Sequence, residues 1–278
     1  MKRFTKVCLI ICAVLVIVGG ILFAIGAASG FGYQQFRRMA RDGVFSFGPE
    51  DLWEEGEGDG LIQNIDDLEE LEDLKQSIRE GKDGWNYDSK QWDATEVQDL
   101  KVDFDFGTVI LEPSQSGQLE VEAGYKSAWK KYNRNITWNL EDGELKIRDT
   151  VDKKIFRLFS IHTGDAILTI RIPEGKVFDE VKLEIGAAQV SMKTQVNAHK
   201  LDLDLGAGEV RDDGSGTLMF RADEVSLDIG AGHMDVAGVE AEKLDVENGT
   251  GQIELRNVTA REVDVECGVG QITMGMTG

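Results

Sequence analysis

The side chains best placed for chemistry in this sequence are carboxylates. Glu184, Asp204, Asp228, Glu247 and Glu266 each stand two residues before a glycine, at Gly186, Gly206, Gly230, Gly249 and Gly268. Asp202, Asp245 and Asp264 stand two residues earlier again. If those glycines mark equivalent points of a repeat, the five acids stack into one outward column at about 4.8 Å per repeat. Aligned like charges repel by about 0.2–1 kcal/mol per adjacent pair. Two uses of such a column compete. It can keep a strand face solvated and discourage edge pairing, which is the ordinary use of a charge run. Alternatively it binds Ca²⁺ or a cationic partner, which would relieve the repulsion. The calcium-binding nonapeptide of β-roll proteins is absent, so no metal or cofactor is assigned.

Other chemistry is poorly supplied. His162, His199 and His233 are scattered, and Cys8 and Cys12 lie in an apolar run far from Cys267. No disulfide framework or structural zinc site can be built from that set. Neither Ser-His-Asp, Cys-His and HExxH arrangements nor a phosphate-binding loop occurs. A glycosidase needs two carboxyls flanking a cleft, one of them protonated by burial; these acids are regularly repeated and outward. The expectation is a non-enzymatic protein. The formal charge is −21. Six of the 30 basic residues fall in the first 41 positions, which hold no acid, leaving 24 bases against 51 acids and a net −27 beyond. Such a field repels nucleic acid and anionic lipid.

The elements that must carry the acids are strands. The units LEIGAAQVSM (183–192), LDLGAGEVRD (203–212), LDIGAGHMDV (227–236), VENGTGQIEL (246–255) and VECGVGQITM (265–274) align, with first glycines spaced by 20, 24, 19 and 19 residues. That is one solenoid coil per unit. Leu201, Leu203 and Leu205 alternate with Asp202 and Asp204, the period of a half-buried strand. Counting onward by twos puts Val210 outside, although Val190, Val210, Met234, Ile253 and Ile272 are all apolar. Four glycine pairs therefore mark a bulge or structural turn that resets the phase. They are Gly206 with Gly208, Gly230 with Gly232, Gly249 with Gly251, and Gly268 with Gly270. The unit at Gly186 reads Gly-Ala-Ala, which predicts a less sharp corner. The reading is an all-β chain, a parallel β-solenoid of 19–24-residue coils. LKVDFDFGTVIL (100–111) is a divergent copy with Gly107 at its turn, and 144–150 and 166–173 are further strands. Segment 124–138 is a cap or side hairpin whose Trp129, Tyr132 and Trp138 are assigned to packing.

Upstream, residues 7–28 are 22 uncharged, mostly apolar residues, enough to span about 30 Å of hydrocarbon. That exceeds the apolar region of a cleaved signal peptide and predicts a signal-anchor helix behind a short basic tail, 1–6. Three Lys/Arg flank each side, so charge alone barely orients it; the short tail and the acidic body place the body outside. Residues 29–96 read as an acidic juxtamembrane linker. Within it Ile65, Leu68, Leu71, Leu74 and Ile78 form one helical stripe, predicting a short amphipathic helix over 65–80 that packs on the body or self-associates. The solenoid domain spans 97–278, and its last coil carries no polar cap, so that either further coils have been lost or this end stacks on a partner, a second copy among them.

The segment IPEGKVFDEVKLEIGAAQVSM (172–192) and the repeated Gly-x-Gly units after it resemble the bacterial putative-adhesin family of unknown function, over residues 97–278. Similar domains occur in Lia-type envelope-stress proteins. The resemblance implies a β-solenoid-like domain behind an N-terminal transmembrane helix, and transfers no catalytic residues. It implies a cell-envelope surface module for binding or scaffolding on a single-pass membrane protein. The alternative is a regulatory or sensor part of an envelope-stress response, acting through a membrane partner.

Overall fold

Alternating apolar residues build a ladder of stacked strands. The structure, a computed structural model, describes residues 68–126, 134–151, 166–216 and 218–277. All of these fall within one compact unit, Leu61–Gly278. A helix α1 (Leu68–Arg79) is followed by a short 3₁₀ turn (Lys82–Gly84) and strands β1 (Asn86–Trp92), β2 (Asp99–Pro113) and β3 (Leu119–Tyr125). A hairpin of β4 (Arg134–Glu141) and β5 (Glu144–Val151) comes next. β6 (Ala166–Ile172), β7 (Val177–Met192), β8 (Val196–Asp212) and the long β9 (Phe220–Met276) complete the chain.

β2, β7, β8 and β9 stack in parallel. Val102, Leu183, Leu203 and Leu227 form one inward row, and Phe104, Ile185, Leu205 and Ile229 the next. All eight are buried. Within β9 the backbone at Gly249 lies against Gly230, and Gly268 against Gly249. The strand thus passes through three successive coils. Further along, the Thr277 amide donates to the Val258 carbonyl at 2.8 Å, keeping the same 19-residue offset.

The phase reset occurs where the glycines predict it. Pairing skips Gly186, Gly206 and Gly230, while Ile185–Leu205–Ile229 before them and Ala187–Ala207–Ala231 after them stay in register. Leu205 and Val210 are both buried, an odd separation that only an inserted residue allows. A Cβ at Gly206 would lie 2.6 Å from the Gly186 carbonyl oxygen, and one at Gly230 2.5 Å from that of Gly206. The second glycine adds a backbone demand: Gly232 has φ +146°, and a Cβ there would run into the Gly208 carbonyl.

The later coils repeat this with one difference. Gly251 has φ +145° and meets the Gly232 carbonyl in the same way. Gly270 meets the Gly251 carbonyl just as closely, yet it is not among the residues with positive φ. Ala188, in the Gly-Ala-Ala unit, is not among them either. Gly270 is therefore required by the close approach alone. The sequence reading left a bulge or a structural turn open at these glycines. These glycines do not sit at turns between strands: Gly186 lies inside β7, Gly206 and Gly208 inside β8, and Gly230, Gly232, Gly249, Gly251, Gly268 and Gly270 inside β9. The corner is a bulge, because the backbone bends there while ladder pairing continues on both flanks.

The sheet is mixed rather than parallel throughout. β5 and β6 extend the parallel set on the other side of β2. β3 runs antiparallel to β6, β1 antiparallel to β3, and β4 antiparallel to β5. The cause of the last is local. Asp142 and Gly143 have φ of 51° and 84°, the two positive values of a type I′ hairpin turn, whereas a parallel neighbour needs a crossover of a dozen residues or more. Within the predicted segment 124–138, the described residues 134–138 belong to this side hairpin, and Trp138 packs edge-on to Trp92 at 6.4 Å between centroids. Inside the hairpin's open end the buried Arg134 guanidinium donates to both Asp149 carboxylate oxygens and to the Phe106 carbonyl.

Helix α1 and strand β1 come from the stretch that the sequence assigns to the linker. The helix packs on the sheet: Ile78 is buried with Trp85, Ile110 and Ile167, and Leu74 lies against them. Gly124 on β3 makes room, since a Cβ there would collide with the Ile78 side chain. A charge network clamps the contact. Arg79 bridges to Glu122 at 2.9 Å and Lys75 to Glu112 at 3.2 Å. Arg171 reaches Glu112 at 2.7 Å and Glu122 at 3.0 Å. Burial pushes the Glu122 carboxyl up, but Arg171 and Arg79 outweigh it and hold the group below its ordinary range.

Residues 7–28, which the sequence reads as an anchor, lie outside the described residues. Among the described residues no helix is long and apolar enough to cross a membrane. On the last described coil the inward row is uncovered: Val265 is 39% exposed, and Cys267 is exposed and free.

Two stability outcomes test this packing. Gly232→Ala should cost about 3 kcal/mol in urea unfolding, through strained φ and a backbone collision. Gly117→Ala, at φ +75° with nothing within 4 Å, should cost only about 1 kcal/mol. Equal costs would remove the stacking argument. Asp149→Ala leaves Arg134 buried without its carboxylate and should cost about 3–5 kcal/mol by the same measurement.

Candidate functional site

The acid column forms as the spacing requires. Glu184 pairs with Asp204 and Asp204 with Asp228, and the glycine stacking carries the row on to Glu247 and Glu266. Four of the five are exposed and Asp228 is half-buried. A sixth member was missed: Asp103 pairs directly with Glu184. The signal was present in LKVDFDFG, because Gly107 aligns with Gly208, the second glycine of its unit. Asp103, four residues earlier, then falls in the column. β5 places Arg148 beside Asp103 at the outer end.

The neighbouring rows show how the charge is distributed along the axis. Two residues earlier run Lys101, Lys182, Asp202 and Ser226, continued at the 19-residue offset by Asp245 and Asp264. The Lys182 ammonium lies 2.6 Å from Glu184, and Lys200 lies 2.7 Å from Asp202. Lys101 bridges Glu144 at 2.9 Å and Glu180 at 3.0 Å. Lys146 and Lys101 together hold the Glu144 carboxyl down at about 2. Cations thus serve the β2–β7 end.

Beyond it the column is uncompensated. Among the described residues, Asp204, Asp228, Glu247 and Glu266 have no cation at ion-pairing distance. Burial, then the Asp204 charge, pushes the Asp228 carboxyl above its ordinary value. Glu247 is raised by desolvation and by Asp228, Glu266, Asp245 and Asp264 together. A Ca²⁺ ion needs six to eight oxygens at about 2.3–2.6 Å. The described residues contain no group of three or more His, Cys, Asp or Glu side chains that could hold a metal ion. A row spaced by one strand separation presents its carboxylates singly, so its geometry is that of a charged face.

The remaining chemistry-bearing residues stand apart from this column. His199 is exposed and pairs with Asp223 at 2.7 Å on another corner of the coil. His233 follows the second glycine, opposite Glu209. Asn248 is buried in the inward row, and its amide nitrogen lies 3.9 Å from the Cys267 sulfur. His162, Trp129 and Tyr132 lie outside the described residues.

The raised Asp228 pKa has a defined sign. Its folded form binds a proton more readily than the unfolded chain does, so the ionised group costs stability at neutral pH, and the cost disappears as pH falls. Allowing for solvent screening at this partly exposed site, Asp228→Asn should therefore stabilise the protein at pH 7 by about 0.2–0.5 kcal/mol. The gain should vanish below the ordinary aspartate value of 3.8. Thermal melts at pH 7 and pH 3 check this; a loss of stability at pH 7 would show that the carboxylate is held rather than repelled.

Comparison with known proteins adds a family. The Toastrack DUF4097 profile matches residues 97–278, the span over which the repeats carry their resemblance. Among solved structures, a putative cell adhesion protein from Clostridium sporogenes is similar at 14% identity and a TM-score of 0.41, over 69% of this chain and 100% of that one. A putative adhesin from Bacteroides fragilis is similar at 13% identity and a TM-score of 0.36, over 69% and 97%. A putative lipid binding protein from Parabacteroides distasonis follows at 12% identity and a TM-score of 0.26, over 69% and 97%. No curated protein matches the chain. With nearly two thirds of its length matched by one profile, on an all-β, solenoid-like ladder, the chain belongs to the Toastrack DUF4097 family.

Proposed function

We propose that this protein is a non-enzymatic surface module of the cell envelope, a parallel solenoid of 19–24-residue coils held at the membrane by residues 7–28 and displayed outside it. The observation that carries this reading is the stacking itself. Coil after coil repeats the same outward positions on a rigid backbone, which yields long rows of side chains. Extended rows suit binding or scaffolding, because a partner can engage several coils at once. The 22-residue apolar run supports the anchor.

A second reading, a sensor acting through a membrane partner, is favoured by one feature. Helix α1, which follows the proposed anchor in sequence, is clamped to β3 by the Arg79–Glu122 bridge and by Ile78. A force or displacement at the membrane would reach the ladder through that clamp.

Protease shaving of intact cells tests the display. The body should be cut away while residues 1–41 stay membrane-bound; full protection of the body would end the outside placement. A chain truncated after residue 96 then separates the two readings. Loss of surface binding with unchanged stress signalling supports the module, and altered signalling supports the sensor.

A further inference from the structure

Where helix α1 covers the sheet, neighbouring residues serve two different apolar clusters. Val109 and Leu111 of β2 belong to the main core, together with Ala166 and Leu168 of β6. Ile110 and Ile167, which alternate with them, belong instead to the small cluster with Ile78 and Trp85. Alternation along a strand puts the two sets on opposite faces. The α1 side can therefore open without exposing the core of the ladder.

The grip of α1 on the ladder is made by side chains. Its closing backbone bonds are local, from the Glu80 amide to the Gln76 carbonyl and from the Gly81 amide to the Ile78 carbonyl, each 3.0 Å. The Trp85 amide then donates to the Lys82 carbonyl at 3.1 Å, across a turn in which Gly81, Asp83 and Gly84 have left-handed φ of 63°, 53° and 79°. What crosses to the ladder is Ile78 in the space left by Gly124, Lys75 to Glu112, and Arg79 to Glu122. The Arg79 side chain is 42% exposed, so its bridge is open to water. Beyond Trp85 the attachment changes in kind, because β1 pairs along its whole length with β3.

A helix of 12 residues is too short to hold its shape alone in water. Losing these contacts and losing the helix are therefore one event, and the segment forms a separate cooperative unit of low stability. The ladder tolerates that event. When Lys75 and Arg79 leave, Arg171 still holds Glu112 at 2.7 Å, Glu120 at 3.5 Å and Glu122 at 3.0 Å. Arg171 is itself fixed on β6, whose pairing with β2 and β3 does not involve α1.

We propose that α1 is a releasable strap, which leaves the ladder as one unit while the ladder stays folded. It is the first described element after residues 7–28, so a pull from that side loads it before any strand. Release exchanges a helix of about 18 Å for up to about 40 Å of extended chain, which lets the body stand about 20 Å farther from its attachment. It also bares Ile110 and Ile167 between the carboxylates of Glu112 and Glu122. The strap rests on the sensor reading and names its moving part.

Hydrogen–deuterium exchange on the full-length protein in mild detergent tests it. Amides of residues 76–81 should exchange about a hundredfold faster than those of β7 and β8, through opening of the strap alone. Ile78→Ala should raise strap exchange by about thirtyfold, or to the rate of an unstructured chain. Arg79→Gln, a milder change at an exposed side chain, should raise it by about threefold. Both should leave β7 and β8 as protected as before. Gly232→Ala, which loosens the ladder, should leave strap exchange unchanged. Strap and ladder exchanging at one rate overturns the proposal. So does strap exchange that follows Gly232→Ala or ignores both helix variants. Because exchange is read on purified protein, it is independent of the signalling assay. Unaltered signalling in the truncated chain would sink the sensor and leave the strap standing, whereas a helix that opens only with the ladder sinks the strap alone.

Discussion

Close approach of one backbone to the next at the corner glycines governs everything else in this molecule. Each coil must pass the corner within van der Waals reach of its neighbour's carbonyl, as Gly230 does against Gly206 and Gly249 against Gly230. A side chain at those points would push the coils apart and break the hydrogen bonds on both flanks. Once the corner is fixed, register follows, because a one-residue slip would turn every inward leucine outward. Register then dictates the rows. Residues that look unrelated along the chain, such as Asp103 and Glu266, end on one face because both are counted from the same corner.

That geometry has an electrostatic consequence. Stacking converts a choice of residue type at one position into a line of charge. At the β2–β7 end the line is interrupted by Lys101 and Lys182, with Arg148 beside Asp103. Toward the later coils Asp204, Asp228, Glu247 and Glu266 follow one another with no cation at ion-pairing distance among the described residues. Asp228 is raised by burial and then by Asp204, and Glu247 by desolvation and then by Asp228, Glu266, Asp245 and Asp264, so crowding adds to desolvation along the row. The repulsion is tolerable because it is spread over an exposed face, while the inward rows bury Leu203, Leu205, Val210 and their equivalents in the preceding coils. On the other corner the same stacking alternates opposite charges, and there the rows neutralise themselves.

The repeats made the C-terminal half legible, since five glycines, the apolar alternation and the phase slip each pointed to one coil geometry. Whether the slip was a turn or a bulge could not be read from Gly249 and Gly251 or from Gly268 and Gly270 alone, because glycine serves both. Helix α1 was legible too, from Leu74 and Ile78, although the stripe could not reveal that Gly124 on a strand 46 residues after Ile78 receives it. The N-terminal end was harder. Strands β4 and β5 pair antiparallel through a turn, Asp142-Gly143, whose sequence announces a hairpin, but the parallel partner of β5, β2, is distant in the chain. Asp103 was obscured because Gly107 corresponds to the second glycine of a unit, not the first.

The one irregular spacing shows how strictly the ladder is held. Gly206 and Gly230 are 24 positions apart, yet the coil is no wider than its neighbours. Met192 pairs with Asp212 at an offset of 20, and Val196 with Phe220 at an offset of 24. The four extra residues therefore lie wholly between Asp212 and Phe220, in a loop outside the stack. Its base is held by Asp212, whose side chain is only 3% exposed. That carboxylate accepts from the Gly214 amide at 2.7 Å, from the Ala237 amide, and from Arg256 at 3.2 Å. A buried carboxylate on an otherwise apolar row would be costly unpaired, so its three donors make the corner a specific attachment point. An insertion placed inside a strand would instead shift the phase of all that follows. Length variation is thus confined to the corners, which is where a stacked coil can change its surface without changing its core.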